Sequence, residues 1–149
     1  MVGICGSIGA VDHGVDAIRD AAVHLNDVDH AVYKSDDAEV VVTHHEHDDE
    51  PQPIELSDGA LLWLWGVVYG RESADGYVSR IKEGSEDGSA AWVGQYYDID
   101  GPDVLADLNG EFVGLVLHPD RGTATFFTDR LGSRPLYWAW VEEIGRAHV

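Results

Sequence analysis

Leu108-Asn109-Gly110-Glu111-Phe112-Val113-Gly114-Leu115-Val116-Leu117, the turn Pro119-Asp120-Arg121-Gly122 and the return Thr123-Ala124-Thr125-Phe126-Phe127-Thr128 form the stretch that decides the fold. Glu111 to Leu117 and Thr123 to Thr128 are β-branched and aromatic runs separated by a proline- and glycine-bearing turn, which predicts an antiparallel hairpin. Downstream, Asp129-Arg130-Leu131-Gly132-Ser133-Arg134-Pro135 breaks the strand, and Leu136 to Val141 reads as a further strand rich in aromatics. Upstream, Pro102 to Leu108 and Ala90 to Tyr97 read as helices, with Pro102 suited to a first turn.

Towards the N-terminus, Glu72 to Gly88 is charged and glycine-spaced, and partly helical at most. Ser57-Asp58-Gly59 turns the chain into Ala60 to Trp65, a strand too apolar to have one face in water. His44 to Pro53 is polar and proline-broken, so it reads as a loop, whereas Glu39 to Thr43 is strand-like. Val15, Ile18, Ala22 and Leu25 make one apolar stripe on a helix over Asp12 to Leu25. The opening Val2 to Gly9 is a short glycine-punctuated strand. Strands at both ends, helices between and no βαβ alternation predict an α+β protein with largely antiparallel sheets.

Composition narrows the class. A chain of 149 residues is one ordinary domain. Its 28 Asp and Glu face 9 Lys and Arg, a formal net charge of −19, and Lys34 and Lys82 are the only lysines. Phosphate-bearing partners would be repelled, so neither nucleic acid nor an anionic membrane is expected. Such a charge destabilises a compact state unless salt screens it, which points to a high-salt cytoplasm, with a mesophilic acidic protein as the alternative reading. Cys5 is the only cysteine and fits a reducing compartment, and neither a signal peptide nor a membrane-spanning run is read.

Three collinear segments carry a resemblance. They are Met1-Val2-Gly3-Ile4; Gln52-Pro53-Ile54 through Asp58-Gly59 to Trp65-Gly66-Val67-Val68-Tyr69; and Leu108-Asn109-Gly110-Glu111-Phe112 with Asp120 and Asp129-Arg130-Leu131-Gly132-Ser133-Arg134-Pro135-Leu136-Tyr137. Together they resemble the class II glutamine amidotransferase domain of asparagine synthetases. The resemblance implies a four-layer α/β/β/α sandwich of the N-terminal-nucleophile hydrolase type over residues 1–142. It also implies a following synthetase domain as partner, which would use ATP and Mg, and glutamine as a ligand; it leaves a homodimer open. No cofactor is expected in this chain itself. The residues 143–149 have no periodicity, resemble a translated sequencing adapter and are set aside as an artefact, with the synthetase domain missing after them.

The same resemblance locates departures at the chemistry. In the family the second residue is a cysteine that attacks the glutamine amide, with its own α-amine as base. Here it is Val2, which has no nucleophilic atom. Cys5 would need the first four residues removed to take over, and it reads instead as a small hydrophobe of the first strand. The family's Asn-Gly oxyanion pair becomes Trp65-Gly66, which keeps a backbone donor at Gly66 and loses the side-chain donor. The arginine that pairs the substrate carboxylate would fall near His44-His45-Glu46, where none stands. The acidic residue holding the substrate amine would fall at Ser89, or at Asp87 in a shifted register. The expected outcome is a domain without glutaminase activity, whose parent draws on ammonia, another nitrogen donor or a substrate amine, as in β-lactam-synthetase-like relatives. Two alternatives stand beside it: a glutaminase using Cys5, and a non-catalytic partner-binding module. His44, His45, His47, Asp48, Asp49 and Glu50 are potential metal ligands in type, yet with no second spaced pair they read as a solvated acidic loop, so no metal is expected. Trp63 with Trp65, and Trp138 with Trp140, have strand spacing and read as packing residues.

Overall fold

The structure, a computed structural model, describes residues 3–8, 28–36, 38–45, 53–83, 88–134 and 136, with the backbone alone for 3–5, 28–30 and 43–45. β1 (Gly3–Ile8), β2 (Val28–Lys34) and β3 (Ala38–His45) form one antiparallel sheet in the order β1-β3-β2. β3 earns the centre through Val40-Val41-Val42, three β-branched residues that favour a pleated, buried setting. The tight β2–β3 turn is closed by Ser35 N–H on the Ala38 carbonyl at 2.8 Å.

The second sheet runs β4-β5-β7-β8, built from β4 (Ile54–Glu55), β5 (Leu61–Ser73), β7 (Leu108–His118) and β8 (Thr123–Thr128), with β6 (Gly76–Ser79) also paired to β5. The hairpin read from sequence is β7 and β8, in register from Val113 opposite Thr128 to His118 opposite Thr123. Its turn is a 3₁₀ segment, Pro119–Arg121, ended by Gly122 in the left-handed region at φ 57°.

Side-chain alternation divides the core in two. Leu62 and Val68 of β5 and Phe112 and Val116 of β7 face the helix α1 (Ser89–Asp100) and meet its Trp92, Val93 and Tyr97. Trp63 of β5 and Leu115 and Leu117 of β7 face the first sheet and meet Ala38, Val40 and Val42 of β3. The Tyr33 ring of β2 reaches across to Trp63, centroids 5.4 Å apart, edge to face. The described residues therefore stack as sheet, sheet and helix, an α+β arrangement with antiparallel pairing throughout. Val41, on the far face of the first sheet, is also fully buried.

Several elements differ from the sequence expectation. β5 continues past Trp65 to Ser73, because Val67, Val68 and Tyr69 keep the β-former pattern through Gly66. The charged stretch after Glu72 contains a strand rather than helix: Gly76, at φ 115°, turns the chain and Tyr77-Val78 pair back on β5. Pro102–Asp107 is 3₁₀ rather than α-helical, since β7 begins at Leu108. His44 and His45 end β3 opposite Asp29 and Val28 instead of opening a loop. β2 itself was not read, because Asp29 and His30 interrupt its apolar alternation. The expected Asp12–Leu25 helix, Asp87, Trp138, Trp140, the strand beyond Leu136 and residues 143–149 lie outside the described residues.

Helix α1 approaches β4 closely at Gly94, where an added Cβ would stand 3.0 Å from Ile54 Cγ2. Trp92 is fully buried, and its indole N–H donates to Glu83 Oε2 at 2.8 Å. Trp92→Ala removes both the ring and that bond and is expected to cost about 3–5 kcal/mol by chemical denaturation. Ile99→Ala, on the same helix but 74% exposed, should stay within about 0.5 kcal/mol of the parent.

Candidate amidotransferase site

The middle of β5, Trp65-Gly66-Val67-Val68, pairs with β7 up to a register slip after Val68. Gly66 has φ 120°, and an added Cβ would fall 2.1 Å from the Glu111 carbonyl oxygen and 2.8 Å from Phe112 Cα. Only glycine can occupy this position. Gly66 stands opposite Phe112, whose N–H donates to Asp129 Oδ2 at 3.2 Å and whose carbonyl accepts from Asp129 N–H at 3.1 Å. In an antiparallel ladder bonded and non-bonded pairs alternate, so a Phe112 committed to the β8 side leaves Gly66 in a non-bonded pair.

Two residues on, the register slips between Val68 and Gly70. Side chains replace the ladder there. Val68 N–H donates to Ser89 Oγ at 3.0 Å, and Val68 C=O accepts from Arg80 Nε at 2.8 Å. Ser89, the first residue of α1, is thus fixed beside the Gly66 segment as a hydroxyl acceptor.

The other wall comes from the chain after β8. Asp129 is buried, and its carboxylate accepts from the N–H of Phe112, Leu131 and Ser133 and from the Ser133 hydroxyl. The Ser133 hydroxyl contributes most to lowering its pKa to about 2; burial opposes, and the N–H groups of Ser133, Leu131 and Phe112 add to the lowering. The turn held in this way carries Arg134. Its Nε donates to the Glu111 carbonyl at 3.2 Å, and its guanidinium carbon lies 4.1 Å from the centroid of the Trp65 ring.

Trp65, Gly66 and Ser89, all expected from the sequence, therefore come together, joined by Arg134 and by Asp129 beneath it. Val2 lies outside the described residues, and so do Glu46, His47, Asp48, Asp49 and Glu50. Cys5 takes the register position opposite Val41 inside β1. Among the described residues no group of three His, Cys, Asp or Glu could hold a metal ion. The positioning roles of Asp129 and Arg134 were not assigned from sequence, although an Asp followed four residues later by Ser within a glycine-bearing turn is a local hydrogen-bonding pattern. Of the four tryptophans read as packing residues, two are described: Trp63 is core, whereas Trp65 is only partly buried and supports Arg134.

Residues 37–147 match a family profile described as a glutamine amidotransferase domain. The chain belongs to the glutamine amidotransferase domain family. The matched stretch includes Trp65, Gly66, Ser89, Asp129 and Arg134 and begins after Val2 and Cys5. Comparison with curated proteins gives no match. No helix among the described residues is long and apolar enough to cross a membrane.

Asp129 is depressed in the folded protein relative to its ordinary 3.8, so its contribution is fully present above that value and is lost as pH falls towards 2. A difference of this size corresponds to about 2 kcal/mol. Asp129→Ala should lower stability at pH 7 by at least that amount, about 2–4 kcal/mol with the orphaned N–H groups included. Denaturant melts between pH 5 and pH 2 are expected to show the gap between parent and variant narrowing as pH falls.

Proposed function

We propose that this domain is the amidotransferase-like part of an asparagine-synthetase-like protein, that it has the four-layer N-terminal-nucleophile hydrolase architecture, and that it does not hydrolyse glutamine. The observation that carries the reading is Trp65 beside Gly66: a backbone donor kept in an irregular strand position, next to an indole where the related domains have an amide. An indole replaces the two-donor asparagine amide with a single ring N–H, and its face is occupied by the Arg134 guanidinium, so the oxyanion geometry of the amide is not preserved. Ser89 presents a hydroxyl that already accepts from Val68, so it cannot replace a carboxylate that holds an ammonium. Val2 at the nucleophile position completes the argument.

The partner in this reading is a synthetase domain that binds ATP and Mg and takes its nitrogen from ammonia, another donor or a substrate amine. Three described layers, with the far face of the first sheet shielded at Val41, support the four-layer architecture. Cys5 is disfavoured as a substitute nucleophile because its backbone is paired in the middle of β1.

The test is ammonia release from glutamine. The chain as it stands should give none above buffer. Val2→Cys, once the initiator Met is removed, supplies a nucleophile and its amine. Val2→Cys with Trp65→Asn also supplies the missing donor, and should exceed the single variant by roughly 10²-fold. Glutaminase activity in the unmodified chain, abolished by Cys5→Ser, would overturn the proposal and establish the Cys5 alternative.

The acidic surface supports a second part of the reading, function in a concentrated-salt cytoplasm. Raising KCl from about 0.1 M to about 2 M should raise the melting temperature by several degrees, since at that strength screening acts within about 3 Å. A flat or falling melting temperature would count against it.

A further inference from the structure

At the other end of the second sheet, five residues back along β5 from Gly66 and so roughly 16 Å away, a cavity of about 380 Å³ opens between three elements. These are the Ser57-Asp58 turn before β5, the C-terminal end of α1, and the β7–β8 turn. Its volume falls within the range of about 300–1,000 Å³ usual for small-ligand sites. Asp58, Tyr97, Asp98, His118, Arg121 and Thr125 are among the residues that line it.

The charges on its walls are of both signs. Asp98 Oδ1 accepts from Ser57 N–H at 2.8 Å and from Ser57 Oγ at 2.9 Å, which leaves its second oxygen uncommitted among the described residues. Asp58 Oδ1 accepts from Ala60 N–H at 3.0 Å, and Asp58 Oδ2 lies 3.6 Å from His118 Nδ1. Arg121 is exposed and makes no hydrogen bond or ion pair among the described residues, in a chain with a net charge of −19. Tyr97 lines the same cavity. Burial raises its phenol above the ordinary value, Asp58 and Asp98 raise it further, and Arg121 opposes them.

This pattern selects among ligands. A simple anion would meet two carboxylates, and a simple cation would meet the guanidinium. A metal ion lacks three suitably grouped donors among the described residues. A molecule with an ammonium and a carboxylate on one short frame satisfies both walls, because each charge meets its opposite. We infer that this cavity binds a free α-amino acid with a small polar side chain. Its carboxylate sits on Arg121, its ammonium on Asp58 and Asp98, and its side chain near the Thr125 hydroxyl. The site is separate from Gly66 and does not depend on whether the amidotransferase site is active.

The experiment is a titration of the ¹⁵N-labelled full chain with L-serine, with acetate and methylammonium as single-charge controls. Saturable shifts are expected at the amides of Tyr97, Arg121 and Thr123 and not at Gly66. Arg121→Gln should weaken the Kd by roughly tenfold or more. Asp58→Asn, which keeps an oxygen acceptor for Ala60 N–H and so keeps the turn, should do the same. Circular dichroism and thermal melts of the two variants verify that the fold is retained. The inference is overturned by the absence of saturable shifts, by acetate or methylammonium binding as tightly as L-serine, or by both variants binding like the parent.

Discussion

The buried carboxylate of Asp129 is the constraint on which one end of this molecule depends. A charge in the interior is tolerated only where donors replace water, and here three backbone N–H groups and one hydroxyl do so. Those donors belong to different parts of the chain. Phe112 is in the middle of β7, whereas Leu131 and Ser133 are in the turn after β8. Satisfying one carboxylate therefore fixes a loop to a strand. It also commits the N–H and carbonyl of Phe112, which stands opposite Gly66, to the β8 side. Arg134, at the end of the same turn, is delivered onto Trp65.

Along β5 a single strand passes from core to site within two residues. Trp63 and Trp65 point to the same face. Trp63 is enclosed by Val40, Val42 and Leu115, while Trp65 lies beyond the cover of β3 and is met by a guanidinium instead. The glycine that follows Trp65 still stands opposite Phe112, the register slips two residues later, and the side chains of Ser89 and Arg80 take over at Val68. Family membership accounts for this framework. What the framework does chemically is decided by the few side chains placed on it, and a fold can persist after those have changed.

The hairpin of β7 and β8 was legible because its information is local: two β-rich runs and a turn with proline and glycine in their favoured places. The helix over Ala90 to Tyr97 was legible in the same way, although it runs on to Asp100 and stops only at Gly101. β2 and β6 were not, although each pairs with the strand beside it in sequence: Asp29 and His30 break the apolar alternation of β2, and β6 is only four residues long. At the site, Trp65, Gly66 and Ser89 were named through the resemblance, but the reason for each was hidden. The clash that enforces Gly66 comes from Glu111, and the partner of Ser89 lies 21 residues away. Stacking of Arg134 on Trp65 joins residues with no sequence pattern in common, so only the assembled fold reveals it.

The placement of two arginines has a further consequence. Arg71 lies over the ring of Tyr96 and Arg134 over that of Trp65, each with its guanidinium carbon 4.1 Å from the ring centroid. A guanidinium is weakly hydrated and flat, so face contact with an aromatic ring draws on dispersion and the ring quadrupole as well as on Coulombic attraction. Ions in solution weaken the Coulombic part between exposed charges and leave the contact itself in place. A protein so poor in cations thus uses two of them as mortar between strands, helix and loop, and the stacking part of those joints persists in brine as in dilute buffer.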